Sequence, residues 1–202
     1  MRVPIVAMLL IALPVPPSHA QTVPTAITCE GVFGKTTTHA QLVKTFGAAN
    51  VTFEEIDGAE GETLKATVLF KADPAKRVDV VWRDEAKRVG PSSITVKEPS
   101  AWSGPLVVRN GMTVPEIAQL NGQPFTMSGF EWDYGGYVTD LKGKLAALPG
   151  GCGLTLRFSP GMDIPAGKKY QAIVGDKTIK SDNPLLLSVK PKVTEWSVGW
   201  AE

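Results

Sequence analysis

Residues 38–47 read THAQLVKTFG and residues 113–122 read TVPEIAQLNG. Laid one over the other at an offset of 75, Thr38 meets Thr113, Gln41 meets Glu116, Leu42 meets Ile117 and Gly47 meets Gly122. Each match has a physical meaning. A threonine followed three residues later by Gln or Glu is a capping box, which satisfies the orphan N–H groups of a helix start. Pro115 falls in the first turn, where a missing N–H is harmless. The glycine comes where a helix stops in the left-handed conformation. Leu42, Val43 and Phe46 form one apolar stripe, and Val114, Ile117 and Leu120 form the other. The reading is therefore two short amphipathic helices, one in each half of an internally repeated chain.

Strand-like sequence follows each helix. In the first half LKATVLF (64–70) alternates, Asp73-Pro74 turns the chain, and VDVVW (78–82) sets Val78, Val80 and Trp82 on one side, with ITV (94–96) beyond. In the second half MSGFEWDY (127–134) reads as a strand that turns at Gly135-Gly136 into YVTDLKGK. LTLRF (154–158) alternates again, YQAIV and KTIK flank a Gly175-Asp176 hairpin signal, Asn183-Pro184 suits a helix start, and VTEWSVGW (193–200) ends as a strand. The fold class this predicts is α+β: two tandem units, each a short helical segment packed on an antiparallel sheet whose other face is uncovered. The boundaries are a signal peptide over 1–20, a flexible segment over 21–28, the first repeat over 29–98, a linker over 99–104, and the second repeat with its C-terminal strands over 105–202.

The chain opens with Arg2, an apolar run from Ile5 to Leu13, and Ser18-His19-Ala20 before Gln21. That pattern is a secretory leader with cleavage after Ala20, and its apolar run is too short to span a bilayer. The expected location is periplasmic or secreted, with no transmembrane segment. Removing Arg2 from 21 basic residues leaves 20 against 20 acidic ones. A balanced chain carries no electrostatic footprint for nucleic acid. The two cysteines, Cys29 and Cys152, both lie in the exported region, where an oxidising compartment favours a disulfide between them. Two separate buried thiols are the alternative.

A helix opened by Gly-Met-Thr and closed by Leu-x-Gly-x-Pro, here GMTVPEIAQLNGQP (111–124), resembles the first element of a known superfamily. It is the one that holds the beta-lactamase inhibitory proteins and the small outer-membrane-assembly lipoproteins. The first copy, TTTHAQLVKTFGAANV (36–51), is similar to the inhibitory-protein style, in which two helix-plus-sheet units sit in tandem. The resemblance implies a concave sheet surface that clamps a partner protein. It carries over no individual contact residue.

Catalytic constellations are scarce. Once His19 leaves with the leader, His39 is the remaining histidine, and it reads as a solvent-facing residue in a first helical turn. A nucleophile–histidine arrangement would rest on it alone. Neither a phosphate loop nor a calcium loop occurs, and His and Cys are too few for a zinc site. No cofactor is expected. Two carboxylate groupings, Glu54, Glu55 and Asp57, and Glu131 with Asp133, have the spacing of a hydrolytic pair.

One segment stands apart. GFEWDYGG (129–136) interleaves three rings with two acids. Alternation would set Phe130, Trp132 and Tyr134 on one face, either as packing against Ile117 and Leu120 or as outward anchors. The rings nearest the turn, Trp132, Tyr134 and Tyr137, are the candidates for exposure. The candidate binding residues are thus Trp132, Tyr134, Tyr137, Phe130 and Trp82. The functional expectation is a non-enzymatic exported module that binds another exported or envelope protein through its open sheet face. The alternatives are a glycan- or small-ligand-binding protein using an aromatic strip, and a carboxylate-dependent hydrolase.

Overall fold

A computed structural model describes residues 25–161 and 169–201. The segment read as a leader, its expected cleavage site and residues 21–24 of the expected flexible segment lie outside the described residues.

Both helices form where their caps predict. Helix α1 spans His39–Phe46, with Thr38 Oγ1 accepting from the Gln41 N–H and Gln41 Oε1 accepting from the Thr38 N–H. Helix α2 spans Val114–Asn121 with the same reciprocal pair between Thr113 and Glu116. Leu42 and Phe46 on α1, and Val114 and Ile117 on α2, are buried. Their stops differ. Gly122 is left-handed, whereas Gly47 has positive φ with an extended ψ and leads straight into a 3-10 turn.

The strands are β1 (Val51–Asp57), β2 (Thr63–Leu69), β3 (Val78–Asp84), β4 (Val89–Lys97), β5 (Thr126–Ser128), β6 (Val138–Asp140), β7 (Gly153–Ser159), β8 (Thr178–Lys180) and β9 (Lys192–Gly199). A third helix, α3 (Pro184–Ser188), is capped by Asn183, whose Oδ1 accepts from Leu185 and Leu186 N–H groups. Antiparallel pairing joins six strands in the order β1-β2-β3-β4-β9-β7, and a small sheet runs β6-β5-β8.

The α+β class holds, but the halves do not keep separate sheets. Strand β9 of the second half pairs with β4 of the first, from Ser93↔Gly199 to Lys97↔Glu195, and carries β7 on its far side. The two helices are moored in the same way. The Thr38 cap bridges to Val89 at the start of β4, and the Thr113 cap bridges to Lys192 at the start of β9. The segment read as a linker is packed rather than free. Trp102 is buried edge-on against Phe33, and its Nε1–H donates to the Lys76 carbonyl at 2.7 Å.

Alternation divides the large sheet into two faces. Val78, Val80 and Trp82, Ile94 and Val96, Trp196 and Val198, and Leu156 join the helix stripes in one core. Cys29 and Cys152, both buried in that core, form a disulfide with Cα atoms 5.6 Å apart and a sequence separation of 123. On the other face stand Asp79, Ser93, Thr95, Lys97, Arg157 and Glu195.

Candidate functional site

The uncovered face of β3, β4, β9 and β7 is the floor of a cleft of about 470 Å³. One wall is the end of the β1–β2 hairpin, with Asp57, Gly58, Glu60 and the half-exposed Leu64. The other is the loop from Glu131 to Tyr137. The loop belongs to the second half of the chain and the hairpin to the first. They meet where the Tyr134 phenol donates to Glu60 Oε1 at 3.4 Å.

The wall formed by the loop is pinned on three sides. At its base the Ser128 N–H donates to Tyr137 O at 2.8 Å and the Gly136 N–H to Gly129 O at 3.0 Å. Toward the small sheet, Phe130 exchanges backbone hydrogen bonds with Ile173 and Gly175. Toward β7, the Phe158 N–H donates to Gly136 O, and Arg157 Nε donates to Gly135 O at 3.1 Å. Gly136 has φ +78, and a Cβ there would run into the Phe158 carbonyl oxygen, so the approach of loop to strand requires glycine.

These bonds correct the reading of 127–134 as one strand. Strand β5 ends at Ser128, because Phe130 turns to bridge Val174 and Glu131 takes positive φ (+74). The segment 170–174, also expected as a strand, is instead a 3-10 turn over Tyr170–Ile173 followed by the extended Val174, which receives this bridge. Strict alternation therefore fails here, and the three rings separate. Phe130 is buried at 2% exposure, while Trp132 and Tyr134 stand out at 58% and 62%. The Trp132 indole lies against the turn at Gly175, where a Cβ would come within 3.2 Å of its Cε2.

Below the rim, Tyr137 is half-buried. Its phenol donates to Glu195 Oε1 at 3.2 Å, and the Arg157 guanidinium sits 5.0 Å above its ring centroid. Lys97 Nζ completes the group, 3.8 Å from Glu195 Oε2. Burial first, and then the Glu195 charge, push the Tyr137 phenol above its ordinary pKa. Asp79 is held by Arg77 at 2.9 Å. The floor is thus a set of internally neutralised polar groups.

Of the five expected binding residues, the structure brings Trp132, Tyr134 and Tyr137 together at the cleft. It does not bring Phe130 or Trp82 there. Phe130 is packed in the core as the root of the loop. Trp82 is 4% exposed on the helix-covered face, with its Nε1–H donating to Thr67 Oγ1 at 2.9 Å. Neither presents its ring to a partner. Trp82 shares its face with Val78 and Val80, so the alternation of β3 already held the reason.

His39 departs from the solvent-facing expectation. Its Nδ1 lies 2.8 Å from Thr67 Oγ1, and its ring meets Phe53 edge-on. Burial, with Arg88 nearby, lowers its pKa. Thr67 is fully buried, so this contact fixes the helix start and offers no accessible nucleophile. Of the acids in the first grouping, Glu54 is engaged by Lys71 at 2.8 Å and Asp57 reaches the cleft. Glu131 and Asp133 sit at the cleft on either side of Trp132. Among the described residues no cluster of three His, Cys, Asp or Glu side chains could hold a metal ion, and no helix is long and apolar enough to cross a membrane.

The residues that sequence reasoning missed are Glu60, Asp79, Lys97, Arg157 and Glu195. Parity within each strand sets four of them opposite the core residues. What brings them together is the β4–β9 pairing, for which the sequence carries no local signal. Comparison with protein-family models, with curated proteins and with solved structures finds no match to this chain.

Proposed function

We propose that this is an exported, non-enzymatic module that recognises another exported or envelope protein across the uncovered sheet face. One observation carries the reading: Trp132 and Tyr134, the two most exposed rings, stand together on a pinned loop at the rim of a concave surface. Every other tryptophan is buried. Rigid aromatics of this kind bury large area on binding at little entropic cost, which is why they dominate interface hot spots. The disulfide supports an oxidising compartment. The resemblance to the beta-lactamase inhibitory proteins implies the same use of a sheet face.

The test is capture from a periplasmic extract by the immobilised wild-type protein and by Trp132→Ala/Tyr134→Ala. The expected result is one stoichiometric partner that the double variant fails to retain while its unfolding midpoint stays near wild type. Equal retention by both proteins would contradict the reading. A glycan reading is favoured by one feature, the Ser93 and Thr95 hydroxyls beneath the aromatic rim. Its sign would be saturable quenching of Trp132 by cell-wall oligosaccharides that also displace the captured protein.

A further inference from the structure

We infer that the mouth of the cleft takes a cationic side chain, lysine or arginine, carried by an extended segment of the partner. This rests on the docking role proposed above and names the chemistry that role selects.

The argument begins with the rings. Trp132 and Tyr134 are exposed rings at one opening, and the π face of an aromatic ring attracts cations and not anions. The same opening is acidic, although the mature chain carries equal numbers of acids and bases. Six carboxylates line the cleft, Asp57, Glu60, Asp79, Glu131, Asp133 and Glu195, against two cations, Lys97 and Arg157.

The compensation is uneven in depth. Asp79 and Glu195 on the floor have cationic partners, Arg77 at 2.9 Å and Lys97 at 3.8 Å. Asp57, Glu60, Glu131 and Asp133, at the mouth, are exposed and form no ion pair among the described residues. Glu60 accepts a hydrogen bond from the Tyr134 phenol, so one of these carboxylates touches one of the rings. Deeper in the cleft the protein already makes the contact that the mouth leaves open, with the Arg157 guanidinium over the Tyr137 ring and Glu195 beside it. A partner's Lys or Arg would repeat that arrangement one level higher, between ring and carboxylate. An anionic segment would meet four unpaired like charges, and a neutral one would gain only the rings.

Three short peptides of equal length test this, with lysine, glutamate or glycine alternating with serine. Each is titrated into the purified protein and followed by Trp132 emission and by calorimetry. The lysine peptide is expected to bind saturably, to weaken as salt rises, and to weaken about tenfold against Glu60→Gln/Asp133→Asn. A charge-matched variant on the exposed surface outside the cleft, Glu30→Gln/Glu85→Gln, should retain wild-type affinity. The inference falls if the lysine peptide fails to bind, binds no tighter than the glutamate peptide, or binds Glu60→Gln/Asp133→Asn equally well. If it falls while Trp132→Ala/Tyr134→Ala still loses the captured protein, the docking role survives without the cationic specificity. If that variant also retains the protein, both fall.

Discussion

The two faces of the six-stranded sheet are built from alternate residues of the same strands, yet they do opposite things. On one, Val80, Ile94, Trp196 and Leu156 are fully buried in the core that the helix stripes join. On the other, Asp79, Thr95, Glu195 and Arg157 lie beneath a single loop that carries its largest rings outward. The covered face gathers the apolar area that stabilises the fold. The open face holds polar groups that neutralise one another and leaves its aromatics and acids at the rim. A face with nothing to hold together is free to be shaped for a partner.

The comparison breaks most readily where stability is concentrated. Replacing Cys29 and Cys152 together by serine frees a 123-residue loop, which should lower stability by on the order of 4–5 kcal/mol, read from denaturant unfolding. Next come two neighbours on opposite sides of the division. Phe130→Ala should cost about 3–5 kcal/mol, whereas Trp132→Ala should stay within about 0.5 kcal/mol of wild type. Similar losses from both would mean that the loop is core throughout. Gly136→Ala places a side chain at positive φ against the Phe158 carbonyl, so the loop should detach at a cost of on the order of 2–3 kcal/mol. Increased hydrogen exchange confined to residues near 130–137 would report it.

Smaller effects test the two moorings. Thr38→Ala and Thr113→Ala each remove one capping box and should each cost about 1 kcal/mol, additively in the double variant. The least effect is the pH dependence of His39. Its folded pKa is lowered, so the unfolded chain takes up the proton more readily. Its contribution to stability is complete above the ordinary histidine pKa of about 6.5 and declines as pH falls below that value. Unfolding measured at neutral pH and in the mildly acidic range should show this slope, and His39→Gln should flatten it.

Much of the covered face was legible in the sequence. Thr38 with Gln41 and Thr113 with Glu116 announce both helices, and Val78, Val80 and Trp82 announce a buried strand face, because caps and alternation are local rules. The open face was legible only in part. Exposure of Trp132 and Tyr134 follows from their nearness to Gly135-Gly136, but the burial of Phe130 does not. That ring is drawn inward by backbone bonds to Ile173 and Gly175, more than forty residues away. The joining of both halves in one sheet was equally hidden, since the β4–β9 pairing depends on long-range register. A cleft assembled from Glu60, Lys97, Arg157 and Glu195 cannot be read before that pairing is known.

The division of labour between the faces can be tested in living cells by photo-cross-linking. A photoreactive phenylalanine analogue is placed either at position 132 on the rim or at position 40 on the exposed side of α1. One discrete protein adduct from position 132, with none from position 40, is the expected result. Equal adducts from both positions, or a discrete adduct from position 40 alone, would contradict a partner-binding role for the open face.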